Sequence, residues 1–300
     1  MNISPDFMFE RDSLKAQLKR WKWLFVGMLI LAFMLIAKNT IKTYDKEEII
    51  ARMRIDGVLQ HDDDLIKKLK EIGNDQKIKA VVVHIDSPGG DAYAGESLYI
   101  ELKKLSKQKP VVAVLDTLAA SAGYMIALGT DHIIARNMTL TGSIGVIWQS
   151  FELVDMANKL GIEFVSIKSS PLKAAPNPLE KMTKEVQDAT KQTIDDSYDV
   201  FLAILMESRK MTREQALKLA DGRVYTGIRA KNLNLIDEIG GEEEAIVWLE
   251  TNKKISTKAH IVNINVDKPE GLLKELSQFF RNTNHMLMQI FGRNGMMVAK

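Results

Sequence analysis

The chain has 300 residues, of which 46% are apolar and 27% are charged, so it is not disordered and can bury a large core. Its 41 Lys and Arg residues exceed its 39 Asp and Glu residues by only two, which argues against a protein dedicated to nucleic acid. The absence of cysteine excludes disulfides, thiolate nucleophiles and cysteine-based zinc sites. The five histidines lack HExxH spacing, and we expect neither a metal nor a cofactor.

The first patterned segment is an uncharged run of 15 residues, Trp23–Ala37 (WLFVGMLILAFMLIA). A helix of this length covers about 22 Å, and a bilayer core is about 30 Å thick. Trp21, Lys22 and Lys38 suit the two interfaces and extend the usable length. A buried core helix would show a polar stripe, and a cleaved signal would end in an A-x-A-like site; the run has neither. We predict an uncleaved transmembrane signal anchor at 21–38.

The positive charges on the two sides predict the orientation of this anchor. Five Lys and Arg residues lie within residues 1–22 and four within residues 38–52, a small excess on the amino-terminal side. We therefore expect a cytoplasmic tail at 1–20 and a stalk at 39–48. The large remainder is expected on the extracytoplasmic side of the cell membrane.

Strand and helix patterns alternate after the stalk. The apolar runs and helix-capping residues predict strands and helices in turn, at 49–59, 62–73, 79–86, 93–107, 110–116, 121–129 and 131–137. This alternation predicts an α/β fold with a parallel sheet and right-handed βαβ crossovers. Further along, EFVSIKS (163–169) is typical of a strand and 181–210 of a long helix. A carboxy-terminal extension, 251–300, carries a predicted strand at 261–266 and a predicted core or interface helix at 270–292.

Two loops rich in small residues follow predicted strands and precede predicted helices. In the first, Asp86–Gly90 (DSPGG), the glycines allow backbone N–H groups to point at a ligand, as an oxyanion hole requires. An ordinary tight turn is the alternative. In the second, Ala119–Tyr124 (AASAGY), Ser121 has an accessible hydroxyl and the N–H of Ala122 lies beside it in sequence. An ordinary helix N-cap serine is the alternative.

A nucleophilic serine needs a base, and both histidine and lysine are available. His84 and His132 lie in predicted strands, where a histidine is more often a packed structural residue. A lysine acts as a base only when burial keeps it neutral. Lys173 lies in a mostly uncharged loop, SSPLKAAPNP, and Lys168 lies in the strand before it. A solvated surface charge is the alternative for either lysine.

Five motifs in this order resemble the signal peptide peptidase A family, also called protease IV. The motifs are IDSPGGD (85–91), LAASAGYMIA (118–127), LTGSIGVI (140–147), IKSSPLKAAP (167–176) and DGRVYTGIRAKNLNLIDEIGG (221–241). The resemblance covers about residues 50–250 and implies a Clp/crotonase-like fold with a peptidase domain at 49–250. It implies a membrane-anchored serine peptidase that uses a Ser-Lys dyad.

The resemblance also assigns roles to individual residues. Ser121 matches the family nucleophile and Lys173 the general base. Gly90 and Ala122 match the backbone donors of the oxyanion hole, and Ser143 matches the serine that orients the lysine. The chain departs from the family's motifs at two positions. It has AASAG where the family has AASGG, and it has Ser170 where the family has glycine. We expect Ala122 to be strained if its φ is positive.

The family's partners are expected for this chain as well. They are peptide substrates, chiefly signal-peptide remnants, and the lipid bilayer through residues 21–38, with no nucleic acid. A homo-oligomer is implied, in which serine and lysine meet across a protomer interface. Two alternatives remain open: a catalytically weakened scaffold in membrane protein quality control, and a crotonase-like enzyme acting on acyl thioesters.

Overall fold

The computed structural model describes residues 18–35 and 48–264. Residues 18–35 form a helix, α1, with exposed side chains. Across these two ranges, no helix combines the length and the apolar character that a membrane crossing requires. The predicted anchor at 21–38 extends beyond the described residues and stays a prediction. Most of the predicted tail and stalk, and the predicted helix at 270–292, lie outside the described residues.

The other elements alternate between strand and helix along most of the chain. In order they are β1 (Ile49–Asp56), α2 (Asp63–Asn74), β2 (Ile78–Ser87), α3 (Ala92–Ser106), β3 (Val111–Ala120), α4 (Ala122–Ala127), β4 (His132–Ala135), β5 (Leu140–Gly142), α5 (Val154–Lys159), α6 (Lys184–Arg209), α7 (Arg213–Leu219), β6 (Val224–Thr226), α8 (Gly227–Asn232), β7 (Glu238–Ile239), α9 (Glu242–Lys253) and β8 (His260–Asn263).

The described strands form one sheet, which confirms the predicted α/β class. The main path runs β6-β5-β3-β2-β1-β8, and β4 joins β3 to β7. Every pairing in this sheet is parallel except that of β5 with β6. Along one edge, strand β3 pairs with two strands in turn: its first half pairs with β4, and its last residues, Leu118–Ala120, pair with β5. The end of β3 is therefore held from both sides by β2 and β5.

Apolar side chains cover both faces of the sheet. Helices α2, α3, α4 and α6 contribute to the larger core, and α9 packs on the smaller core of the opposite face. Two aspartates set the start of helices next to the sheet: Asp62 accepts from the N–H of Leu65, and Asp91 from the N–H of Ala94, each at 3.0 Å. The cap at Asp91 fixes the chain directly after the DSPGG loop.

The predicted strand at 163–169 is wrong. The structure shows no strand there, and residues 163–167 are all exposed. The segment contains Phe, Val and Ile, which favour strands, but in a single chain no neighbouring strand pairs with it among the described residues. A strand requires a partner for its backbone hydrogen bonds, which a sequence pattern alone does not supply.

Candidate active site

Ser121 occupies a sharp bend between a strand and a helix. It follows Ala120, the last residue of β3, and precedes Ala122, the first residue of α4. Its φ is +53° and its ψ is −124°, a conformation that costs a non-glycine residue about 1–3 kcal/mol. Although Ser121 stands at the N-cap position, its side chain makes no capping hydrogen bond. The ordinary N-cap interpretation therefore does not account for this serine.

The DSPGG loop packs directly against this bend. A Cβ atom added to Gly89, whose φ is +103°, would lie 2.8 Å from the Cβ of Ser121. Leu59 holds the loop in place: its N–H donates to the carbonyl of Gly89 at 2.8 Å, and its carbonyl accepts from the N–H of Asp91 at 2.9 Å. Backbone at Gly90 approaches Leu59 so closely that a Cβ there would lie 2.2 Å from the Leu59 carbonyl oxygen. Only glycines allow this approach.

Two backbone N–H groups beside the bend have no acceptor. Among the hydrogen bonds of the described residues, none is donated by the N–H of Gly90 or by that of Ala122. Ala122 begins α4, where the first N–H groups of a helix have no intrahelical partner. Its φ is not positive, so the strain expected at Ala122 is absent and falls on Ser121 instead. These N–H groups are available to an anionic oxygen.

Ser143 is joined to Ser121 through the backbone of β5. The N–H of Ser121 donates to the carbonyl of Gly142 at 2.8 Å, and Ser143 follows with a φ of +50°. The N–H of Ser143 donates in turn to the carbonyl of Arg223 at 2.8 Å. The structure therefore brings Ser121, Gly90, Ala122 and Ser143 together within one chain.

Tyr124 fixes the helix that follows the bend. Its side chain is fully buried, and its hydroxyl donates to the carbonyl of Leu235 at 2.6 Å. Burial raises the pKa of Tyr124, and the nearby Asp237 acts in the same direction against the opposing charge of Arg209. The phenol is therefore a neutral donor that holds the first turn of α4 in the core.

Lys173 is not part of this cluster in a single chain. It lies in a turn in which its N–H donates to the carbonyl of Ser170 at 3.1 Å, and the next residue, Ala174, has a φ of +60°. Its side chain is exposed. Among the described residues, its amine makes no hydrogen bond or ion pair, with Ser121 or with any other group.

Lys173 belongs to an unusually exposed apolar segment, residues 147–182, which we call the arm. Only Pro178 is buried in it. The arm folds back on itself, since the N–H of Leu153 donates to the Pro178 carbonyl at 2.7 Å. Large apolar side chains that are exposed along it are Ile147, Trp148, Phe151, Met156, Leu160, Ile162, Phe164, Val165, Ile167, Leu172 and Met182. An exposed apolar surface of this kind marks an interaction site.

The alternative bases are occupied elsewhere. His84 Nδ1 lies 3.1 Å from Asp116 and its Nε2 lies 2.8 Å from Glu242, which makes it a bridge between carboxylates. His132 Nε2 lies 3.1 Å from Glu238, and its ring stacks on a tryptophan. Neither histidine forms a hydrogen bond with a serine among the described residues.

Lys168 is the other lysine near the site in sequence, and it is paired. Its amine donates to the carboxylate of Glu180. Burial raises the pKa of Glu180, but hydrogen bonds from Lys168 and Asn177 and the lysine charge bring it below its ordinary value. Lys168 therefore holds the arm together and is not a free amine.

Comparison with known proteins now identifies the family. Residues 103–256, more than half of the chain, match the model described as Peptidase family S49. The chain belongs to peptidase family S49. This membership confirms the prediction of a serine peptidase of the signal peptide peptidase A family. The matched range includes Ser121, Ser143 and Lys173, whose individual roles stay predictions.

Several curated proteins are similar to this chain over about two thirds of its length. A Synechocystis protein named as a candidate protease is 37% identical over 204 residues, which cover 67% of this chain and 73% of that protein. A Methanocaldococcus jannaschii protein named likewise is 34% identical, covering 69% and 66%. The chloroplastic serine protease SPPA of Arabidopsis thaliana is 33% identical, covering 71% of this chain and 32% of that protein.

Sequence reasoning missed two contacts that shape the site. Neither the packing of Gly89 on Ser121 nor the carbonyl of Gly142 that holds the Ser121 N–H was predicted. The signal was present, because paired glycines after a strand and a glycine directly before Ser143 are residues that tolerate positive φ.

Proposed function

We propose that this chain is a membrane-anchored serine endopeptidase in which Ser121 is the nucleophile and Lys173 the general base. One observation carries the proposal: Ser121 is held at a φ of +53°, with its hydroxyl unused for capping, beside the two unpaired N–H groups of Gly90 and Ala122. Strained nucleophiles next to backbone donors are the arrangement that acyl transfer requires. We also propose that the fold is of the Clp/crotonase type, a proposal supported by the parallel sheet and by membership of family S49.

The reaction proceeds in two acyl-transfer steps. Neutral Lys173 accepts the proton of Ser121 as the Oγ attacks the peptide carbonyl, and the N–H groups of Gly90 and Ala122 stabilise the resulting oxyanion. Collapse of this intermediate breaks the C–N bond, and Lys173 returns the proton to the leaving amine. Lys173 next takes a proton from water as the water oxygen attacks the acyl ester. Collapse of this second intermediate breaks the ester C–O bond, Lys173 returns the proton to the Oγ of Ser121, and the peptide carboxylic acid leaves and ionises. Ser143 orients the lysine amine.

The exposure of Lys173 indicates how the dyad is completed. A lysine acts as a base only in its neutral form, which burial favours, so the proposed role requires Lys173 to be removed from water. The arm that carries Lys173 exposes a set of large apolar side chains, and residues 163–167 are all exposed and belong to no described strand. We therefore propose a homo-oligomer in which the arm packs on a second copy and delivers Lys173 to that copy's Ser121.

The proposed substrates are peptides in or near the membrane, chiefly signal-peptide remnants. Residues 21–38 anchor the chain in the cell membrane, with the tail at 1–20 in the cytoplasm and the catalytic domain on the extracytoplasmic side. The uncharged run Trp23–Ala37 and its charged flanks support this placement. An anchored enzyme encounters such membrane-retained peptides at high local concentration.

Labelling with a serine-directed fluorophosphonate tests the nucleophile directly. The probe is expected to modify the assembled wild-type protein at the peptide that contains Ser121, and Ser121→Ala is expected to abolish labelling. The matched control, Ser150→Ala, removes an exposed serine of the arm and should label normally. Labelling at another serine would contradict the assignment. An assembled wild-type protein that is neither labelled nor active would favour the scaffold alternative, which the departures at Ala122 and Ser170 motivate.

A further inference from the structure

A cationic cleft lies next to the candidate active site, since one of its lining residues, Arg223, accepts the hydrogen bond from the N–H of Ser143. It has a volume of about 570 Å³ and opens between the end of α6, helix α7, strand β6 and helix α8. None of Ser121, Ser143, Lys173, Gly90 or Ala122 lines it. Five of its lining side chains are basic and none is acidic: Arg209, Lys210, Lys218, Arg223 and Arg229. The whole chain carries a net charge of only +2, so this is a local concentration of positive charge.

Three of the five cations have partners outside the lining. The partners are carboxylates 2.6–2.8 Å away, in the pairs Arg209 with Asp237, Lys218 with Glu214, and Arg223 with Asp221. The last two pairs are exposed to solvent, where such pairs contribute little and exchange readily. Both of these cations can therefore turn toward an anion in the cleft.

The other two cations have no partner. Among the described residues, neither Lys210 nor Arg229 makes a side-chain hydrogen bond or an ion pair. Lys210 directly follows the end of α6, where the helix dipole favours a positive charge. This interaction explains in part why an unpaired lysine stands there. Arg229 lies in the last turn of α8, so the helix dipole favours its charge in the same way. The carboxy-terminal ends of three helices, α6, α7 and α8, each contribute a cation to this one cleft, and Arg223, directly before β6, adds another.

Neutral donors complete the lining. The amides of Asn232 and Asn234 and the phenol of Tyr225 border the cleft together with the cations. The Tyr225 hydroxyl donates to the carbonyl of Leu219 at 3.2 Å, which fixes one wall. Arginine forks and amide N–H groups together are the donors that recognise phosphate oxygens. The volume of about 570 Å³ is within the range of small-molecule sites, about 300–1,000 Å³.

We propose that this cleft binds a phosphate-bearing anion. The same chemistry is offered by the headgroup of an anionic phospholipid and by a soluble phosphate ester, and the experiment distinguishes these two sources. Lys210 and Arg229 provide the uncompensated charge, and Lys218 and Arg223 add to it when their surface pairs open. No residue of the proposed dyad or oxyanion hole lines this cleft, so binding there is measured separately from the peptidase reaction.

The test measures binding to the full-length chain in a non-ionic detergent, by calorimetry and without peptide substrate. Three probes are used: pyrophosphate, a soluble phosphatidylglycerol with six-carbon chains, and phosphatidylcholine with the same chains. The double variant Lys210→Gln and Arg229→Gln is expected to bind the phosphate probe at least tenfold more weakly. The control, Lys67→Gln and Lys70→Gln, removes two exposed lysines of α2 and the same amount of charge, and should bind normally.

Each outcome decides the proposal. Pyrophosphate binding without a preference among lipids assigns a soluble phosphate ester, whereas phosphatidylglycerol binding over phosphatidylcholine assigns a lipid headgroup. The proposed site would be refuted if probe binding weakened equally in the double variant and in the control. It would also be refuted if neither anionic probe bound to the wild type. If the double variant does not fold, Lys218→Gln, on the exposed face of α7, provides the same comparison. Because binding is measured without catalysis, failure of the proposed dyad leaves this result unaffected.

Discussion

The surroundings of Ser121 and the arm that carries Lys173 are built in opposite ways. Ser121 lies between the backbone of β3, β5 and the DSPGG loop. The Gly142 carbonyl accepts from the Ser121 N–H, and the Leu59 N–H donates to the loop, which fixes these segments. The arm, residues 147–182, has one buried residue and a row of exposed large apolar side chains. A single chain therefore holds the nucleophile and the oxyanion donors in position by itself, whereas its lysine is exposed to solvent. The proposed mechanism therefore predicts that another molecule supplies the surface that covers this lysine.

Substitution of Lys173 should have the largest effect. Lys173→Arg and Lys173→Ala are both expected to lower kcat/KM for a peptide reporter by about 10²–10⁴-fold, because a guanidinium stays protonated and cannot act as a base. Lys168→Arg is the control, since Lys168 only pairs with Glu180 and arginine keeps that pair. A fully active Lys173→Arg enzyme would show that the arm does not supply the base.

Gly89→Ala perturbs the Ser121 side of the comparison. The new Cβ would lie 2.8 Å from the Cβ of Ser121 at a φ of +103°, so the bend must shift, and we expect kcat to fall about 100-fold. Gly57→Ala is the matched control, because its φ is +77° but nothing lies within 4 Å of the new Cβ. The control should lose stability by about 1 kcal/mol and keep its activity per folded molecule. Equal activity losses in both variants would remove the special role of the Gly89 contact.

Val165→Asp tests the arm as a contact surface. Val165 is 74% exposed in the single chain, so a change there should leave the free energy of unfolding of one chain within about 0.5 kcal/mol. If the arm packs on a second copy, a buried charge weakens that contact, and oligomer mass by light scattering and kcat/KM should fall together, the latter about tenfold. Val247→Asp, at a valine of α9 that is 55% exposed, should change neither quantity. An unchanged mass with full activity would contradict the packing of the arm.

The smallest effect is expected from a change at Glu242, which lies outside the candidate site and should alter only the free energy of unfolding. Glu242 accepts hydrogen bonds from Arg52 and lies 2.8 Å from His84. Burial raises its pKa, but these contacts and their charges bring the pKa below the ordinary value of 4.5. The carboxylate therefore stabilises the fold above about pH 4.5, and this contribution is lost as the pH falls through its folded pKa.

Glu242→Gln removes that titration. Urea unfolding at pH 7 should show a loss of about 1–2 kcal/mol, and the variant should lose less further stability on acidification than the wild type does. Glu243→Gln, an exposed neighbour, should follow the wild type. Identical acid profiles for Glu242→Gln and the wild type would refute the assigned role. Activity per folded molecule should not change, since Glu242 touches no part of the candidate site.

The sheet and the Ser121 bend were accessible to sequence reasoning because local signals determine them. Buried apolar runs, caps such as Asp62 and small residues around Ser121 predicted strands, helices and a loop at the right places. The positive φ of Ser121 was not predictable, since it follows from packing on Gly89 and from the Gly142 carbonyl. The prediction of a strand at 163–169 is wrong for a related reason. Its residues suit a strand, but a strand forms only where a neighbouring strand pairs with it. The role of Lys173 came from the family resemblance, and no distance within one chain supports it.

The most direct test of the central claim mixes two inactive variants. Chains with Ser121→Ala keep the lysine, chains with Lys173→Ala keep the serine, and each is expected to be inactive alone. If serine and lysine meet between copies, unfolding and reassembling equal amounts together should restore about a quarter of the wild-type rate, because one random neighbouring pair in four then joins an intact serine to an intact lysine. A mixture that assembles to the wild-type mass and stays as inactive as either variant would contradict the account.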